Sequence, residues 1–100
     1  MSSFDPMAAA IDWLDAYRAA NLDQLIDLYA DDAALECGKQ TVVVGRKALA
    51  AYWQKRFIER PAGELEDLLS GGEAIVVSYH LKNGIGHTTL NFNDTGKIAR

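Results

Sequence analysis

The feature that most constrains this chain is Asn83-Gly84, set between two runs in which apolar and polar residues alternate. Asn-Gly between alternating runs is a strong hairpin signal, because both residues tolerate the positive φ that tight turns demand. With those two residues as the loop, Lys82 pairs with Ile85 and the register follows. Tyr79 faces Thr88, Val77 faces Leu90 and Ile75 faces Phe92, giving an almost wholly apolar face. The other face carries His80 opposite His87, Ser78 opposite Thr89 and Val76 opposite Asn91. A one-residue slip would break this separation, since side chains alternate with a period of two. Asn93-Asp94-Thr95-Gly96 reads as the next turn, and Lys97 to Arg100 as the start of a further strand.

Upstream the period changes to that of helices. Asp5 before Pro6 is a helix start: the carboxylate caps free amides, and proline loses nothing at the first helical position. Met7, Ala10, Trp13, Leu14 and Tyr17 then share one face. Asn21 is expected as the left-handed stop. A second helix, about Leu22 to Tyr29, follows. Ala33 to Glu36 and Thr41 to Val44 read as a strand pair around Cys37-Gly38-Lys39-Gln40. A third helix runs from about Arg46 to Ile58 with Leu49, Tyr52, Trp53 and Phe57 on its apolar face. Pro61 and Gly63 close it, Glu64 to Leu69 is a strand, and Ser70-Gly71-Gly72 is a turn. Helices first and an antiparallel meander last make an α+β layer architecture.

One hundred residues suit one domain, 1–100. The formal net charge is −4, and the ten Lys and Arg are scattered. Their densest group, Lys55, Arg56 and Arg60, ends a helical stretch, where cations suit the helix dipole. Nothing tracks a phosphate backbone, so no nucleic-acid partner is expected. No apolar run approaches the roughly 20 residues that span a bilayer, and no membrane partner is expected. The first residues lack the basic flank and apolar stretch of a signal peptide, so the expected location is cytoplasmic. Cys37 is the single cysteine, which agrees with a reducing compartment and excludes a zinc site built on cysteines.

Three blocks resemble one family in the same order. Leu28 to Glu36 is similar to the stretch after the second helix in the SnoaL-like branch of the nuclear transport factor 2-like superfamily. Val44 to Trp53, with Gly45-Arg46 opening the third helix, is similar to the next block. Leu90 to Ile98 is similar to the late strand–turn–strand block. The resemblance implies a cone-shaped fold in which a curved antiparallel sheet wraps the N-terminal helices around an apolar cavity, commonly in a homodimer. It implies no cofactor. The superfamily includes ketosteroid isomerases, polyketide cyclases, epoxide hydrolases and dehydratases, and also members without chemistry, so it does not fix function. The family usually continues through another strand after the block that ends here at Ile98. A sheet edge left open there would need cover, such as a partner subunit.

Departures from the isomerase pattern are informative. Where those enzymes carry a tyrosine, an aspartate base and an aspartic acid, this chain has Trp13, Cys37 and Thr88. Cysteine is a poor substitute for a carboxylate base. Trp13 and Thr88 each retain a donor of the kind an oxyanion hole uses.

Each remaining candidate carries an ordinary reading beside its functional one. Cys37 is first a small buried apolar residue, and a reactive thiol only if a histidine or helix N-terminus lowers its pKa. His80 and His87 are first exposed or dimer-face residues; as cross-strand partners they lack a third metal ligand, and no metal is expected. Asp31 and Asp32 are first solvated turn residues, while Glu36 alternates with Leu35 in a strand; Glu36, Cys37 and Asp32 are the catalytic candidates. Trp13, Tyr17, Tyr52, Trp53, Phe57 and Tyr79 are first core residues and second a cavity wall. If a ligand binds, Trp13, Tyr17, Cys37, Tyr79 and Thr88 are the residues expected to touch it. Two functions therefore stand side by side. One is binding of a small apolar molecule in a cavity, with or without isomerase, cyclase or hydrolase-type acid–base chemistry. The other is a non-catalytic dimerising module whose cavity is filled by its own side chains and whose outer sheet face joins two copies.

Overall fold

The computed structural model describes residues 5–37, 40–71, 74–93 and 95–99, and of residues 36, 37 and 40–43 only the backbone. Helix α1 spans Pro6–Ala19 and α2 Leu22–Asp27. Strands β1 (Ala34–Cys37) and β2 (Gln40–Val44) form an antiparallel pair. Helix α3 spans Arg46–Glu59. Strands β3 (Leu65–Gly71), β4 (Ala74–Leu81) and β5 (Gly84–Asn91) form a second antiparallel sheet in that order. The architecture is α+β, with helices packed on one face of a curved sheet. Irregular pairing between Leu35 and Glu36 and between Leu65 and Asp67 adds the local twist that lets a sheet bend.

Local chemistry explains the element ends. The Asp5 carboxylate accepts from the Met7 amide at 3.1 Å, and Pro6 begins the helix. The left-handed residue that stops α1 is Ala20, at φ 54°, not Asn21. Asn21 instead caps α2, its side chain accepting from the Gln24 amide. Only two residues, Ala20 and Asn21, separate the helices, so the cap of the second claims the asparagine and the left-handed turn falls on its neighbour. β3 continues through Gly71, past the turn expected at Ser70, and the rest of that turn, Gly72, lies outside the described residues, as does the Gly38-Lys39 tip. The Asn93 side chain accepts from the Thr95 and Lys97 amides, closing the late turn. Ile98 then bridges Tyr29 on one side and Phe92 on the other, which ties the end of the described chain to both halves of the fold.

The hairpin register differs from the expected one by two residues. Leu81 pairs with Gly84, Tyr79 with Gly86, Ser78 with His87 and His80 with Ile85. Lys82 and Asn83 are therefore the loop, and Gly84 follows it at φ 156°. An Asn-Gly centre of the favoured twist would need positive φ at Asn83, which it does not have. A shift of two preserves the faces: Ile75, Val77, Tyr79 and Leu90 are buried, and His80 and His87 stay on the opposite side. His80 and His87 are thus not cross-strand partners. His80 Nε2 lies 2.7 Å from Glu66 Oε2, and His87 Nδ1 lies 2.7 Å from Ser78 Oγ.

The core joins the inner faces of α1, α2 and α3 to that sheet face. Ala10, Trp13, Leu25, Ala33, Leu49, Ile75, Val77 and Tyr79 have no exposed surface. Among the described residues no helix is long and apolar enough to cross a membrane.

Candidate functional site

Four aromatic rings from three elements meet at the centre. Spacing of four residues on α1 puts Trp13 and Tyr17 on one face, α3 brings Trp53, and β4 brings Tyr79. Trp13 meets Tyr17, Trp53 and Tyr79 with ring centroids 5.6, 5.8 and 5.7 Å apart. Tyr17 lies 5.0 Å from Trp53 and 5.6 Å from Tyr79. Every one of these contacts is edge-to-face, the arrangement that aligns positive ring edges with negative faces. Phe57 flanks Tyr17 and Trp53.

Polar atoms are threaded through this apolar centre. Trp13 Nε1 donates to the Tyr29 hydroxyl at 3.1 Å in a fully buried bond. Its donor is therefore spent inside the protein. Burial pushes the Tyr29 hydroxyl well above the ordinary tyrosine value. Trp53 Nε1 is buried with no acceptor in hydrogen-bonding geometry. The Tyr17 hydroxyl donates to the Arg60 carbonyl oxygen, fastening α1 to the end of α3.

The sequence reading passed over the residue that organises the polar edge of the cluster. Arg56 is half-buried, and its guanidinium donates to the Tyr52 hydroxyl at 3.2 Å and to the Tyr79 hydroxyl at 3.3 Å. It also lies over the rings of Tyr17 and Trp53, 5.7 and 5.8 Å from their centroids, within cation–π range. The Tyr79 hydroxyl is in turn 2.9 Å from Thr88 Oγ1. Burial works against the Arg56 charge, but the bonds and the three tyrosine hydroxyls around it outweigh that and raise its pKa, so it stays a cation. Burial lifts the Tyr17 hydroxyl, the nearby Arg56 charge pulls it back, and the net shift is upward, so Tyr17 stays neutral. Helical spacing held the missing signal. Arg56 is four residues after Tyr52 and three after Trp53, on the flank of the apolar face.

The structure brings four of the expected ligand-contact residues together: Trp13, Tyr17, Tyr79 and Thr88. The side chains of Cys37 and Glu36 lie outside the described residues. Asp32 is exposed and lines a surface depression of about 380 Å³ with Asp31, Arg46, Asn93, Thr95 and Lys97. Asp31 is spent on an ion pair with Arg46, which also reaches Asp27. Every described Asp and Glu is exposed, and none bonds to a polar atom of the aromatic cluster. No cluster of three metal-ligating side chains occurs among the described residues.

Comparison with known proteins adds a family. Residues 10–100 match the family model of the SnoaL-like domain. No curated protein matches the sequence. A SnoaL-like protein of unknown function from Burkholderia thailandensis superposes with a TM-score of 0.82 at 18% identity, covering 99% of this chain and 92% of that one. The Δ5-3-ketosteroid isomerase of a Mycobacterium species gives a TM-score of 0.70 at 23% identity, covering 94% and 88%. A de novo designed protein with a curved β-sheet gives 0.82 at 17% identity, covering 100% and 84%. An isomerase and a designed protein on one fold illustrate why the fold alone assigns no reaction.

Proposed function

The chain belongs to the SnoaL-like domain family, and from that membership we propose that it binds a small, largely apolar molecule at the corner where the partly exposed Thr88 meets the buried rings of Trp13, Tyr17 and Tyr79, which give way to admit it. Arg56 and Tyr52 form the polar edge of that corner. One observation carries the reading: a half-buried cation and three hydroxyls, those of Tyr52, Tyr79 and Thr88, sit joined against aromatic walls. Ligand sites have this composition, mostly apolar surface with a few convergent polar groups. A core serving packing alone does not need a half-buried arginine, which is costly to desolvate.

Acid–base chemistry of the isomerase, cyclase or hydrolase kind is the finer part of this reading. Arg56, Tyr79 and Thr88 supply donors suited to charge developing on a substrate oxygen. The described residues supply no carboxylate there to take a proton, so Glu36 and Cys37 are the positions at which substitution tests turnover.

The partner we propose is a second copy, joined through the outer face of β3–β5. Leu69 and Ile85 point to that side and are 57% and 41% exposed. Sedimentation on dilution checks this: dissociation accompanied by unfolding is expected, and a folded monomer at nanomolar concentration would count against it.

Ligand binding is tested by a thermal-shift screen against apolar carbonyl compounds, steroids and polyketide fragments. A compound at 100 times its Kd stabilises the fold by about 2.7 kcal/mol, several degrees for a domain of this size. A shift with one compound class supports the reading. No shift with any class, in a firm dimer, would transfer preference to the non-catalytic module.

A further inference from the structure

Among the described residues Arg56 has no counter-charge. Its guanidinium bonds are to the neutral hydroxyls of Tyr52 and Tyr79, and its faces cover two neutral rings. No described carboxylate lies within ion-pair distance of it; the arginine ion pairs among the described residues are those of Arg46 with Asp27 and Asp31. A partly desolvated charge is ordinarily paired, because neutral partners recover only part of the lost hydration. Two of the five guanidinium N–H groups are taken by the tyrosines, which leaves part of the fork for another acceptor.

Resting on the ligand-binding reading above, we infer that the bound molecule is an apolar or aromatic monocarboxylate whose carboxylate is received by Arg56. The planar fork matches a carboxylate in two parallel hydrogen bonds, a fit that an ammonium group does not offer. Tyr79 strengthens the subsite. Its hydroxyl oxygen accepts from Arg56, which leaves its proton for Thr88 or for the ligand. The rings of Tyr17 and Trp53 flank the guanidinium from the buried side, and the partly exposed rings of Tyr52 and Phe57 on the same helix as Arg56 are the apolar surface left for the rest of the molecule. Charge selects a monoanion over a phosphate. The neighbouring cations Lys55 and Arg60 are exposed, so a single half-buried positive charge faces the ligand.

The test compares naphthalene-2-carboxylate with its neutral amide, titrated against the purified protein and followed by tryptophan fluorescence. The carboxylate is expected to bind at least about tenfold more tightly than the amide, a difference of about 1.4 kcal/mol. In Arg56→Met that preference disappears, while in Lys55→Met, which alters an exposed cation one residue away, it persists. Circular dichroism establishes that each variant is folded. Should Arg56→Met not fold, Arg56→Lys takes its place. Lysine keeps the charge and loses the fork, so a reduced preference is expected. Equal binding of the two compounds to the unmodified protein overturns this inference and leaves the ligand-binding reading standing. A preference that survives Arg56→Met also overturns it. Failure of both compounds to bind removes the inference along with its premise.

Discussion

Tyr79 lies directly across the β4–β5 pair from Gly86, and its ring fills the space a side chain there would take. A methyl group on Gly86 would stand 2.9 Å from Tyr79 Cε2 and 2.9 Å from Leu81 Cδ1. The glycine lets the ring lean along the sheet until its hydroxyl reaches Thr88, two positions away on β5, and Arg56 on α3.

Gly86→Ala should therefore displace the Tyr79 ring and break its bonds to Arg56 and Thr88. Overpacking of this kind costs about 1–3 kcal/mol. A urea midpoint unchanged from that of the parent protein would show that the ring does not depend on the glycine.

Trp13→Phe keeps an aromatic ring on α1 but deletes the donor to Tyr29. The buried Tyr29 hydroxyl would then have lost its indole partner, at a cost of about 1–3 kcal/mol. Trp13→Ala should cost about 3–5 kcal/mol, a large part of the 5–15 typical of a whole domain. Equilibrium denaturation of both variants checks the order, alanine below phenylalanine below the parent.

Alkaline pH should unfold this protein. The Tyr29 pKa is raised above the ordinary value of 10.0 by burial, and Tyr17 is shifted the same way. A raised pKa means that the unfolded chain releases its proton first. The stability held by the neutral hydroxyl is thus complete below about pH 10 and is lost as pH rises toward the folded-state value, at about 1.4 kcal/mol per pH unit for Tyr29. Urea midpoints across that range test this. Tyr29→Phe should show a shallower decline, and an equal decline would place the sensitivity elsewhere.

Ala20 holds a left-handed conformation, φ 54°, between α1 and α2. Glycine adopts it without the steric penalty of a Cβ. Ala20→Gly should raise stability by about 0.5–1 kcal/mol, read as a higher thermal midpoint; a lower one would mean that unfolded-state entropy dominates at this site.

The family and the element order were legible in the sequence because periodicity reports burial. Trp13, Tyr17 and Leu49 fell on the predicted helix faces, and Ile75, Val77 and Tyr79 on the predicted strand face. What periodicity cannot report is a displacement by a whole period. The two candidate registers of β4 and β5 bury the same residues, and the choice between them rests on the turn at Lys82–Asn83 and on the fit of Tyr79 over Gly86. The candidate site was legible in its walls and not in its charge. Arg56 reads as a helix-end cation until the strand carrying Tyr79 is brought against it, and that contact links residues 23 apart in sequence.

The most direct test of ligand binding at this corner is a nitrogen-15 correlation spectrum, recorded while the most stabilising compound is titrated in. The Trp13 and Trp53 indole N–H signals, the Arg56 side-chain N–H and the Thr88 amide should move together and saturate with one affinity. Signals that move only at His80, His87 and Leu69 on the outer sheet face, or none that move at all, would contradict the account.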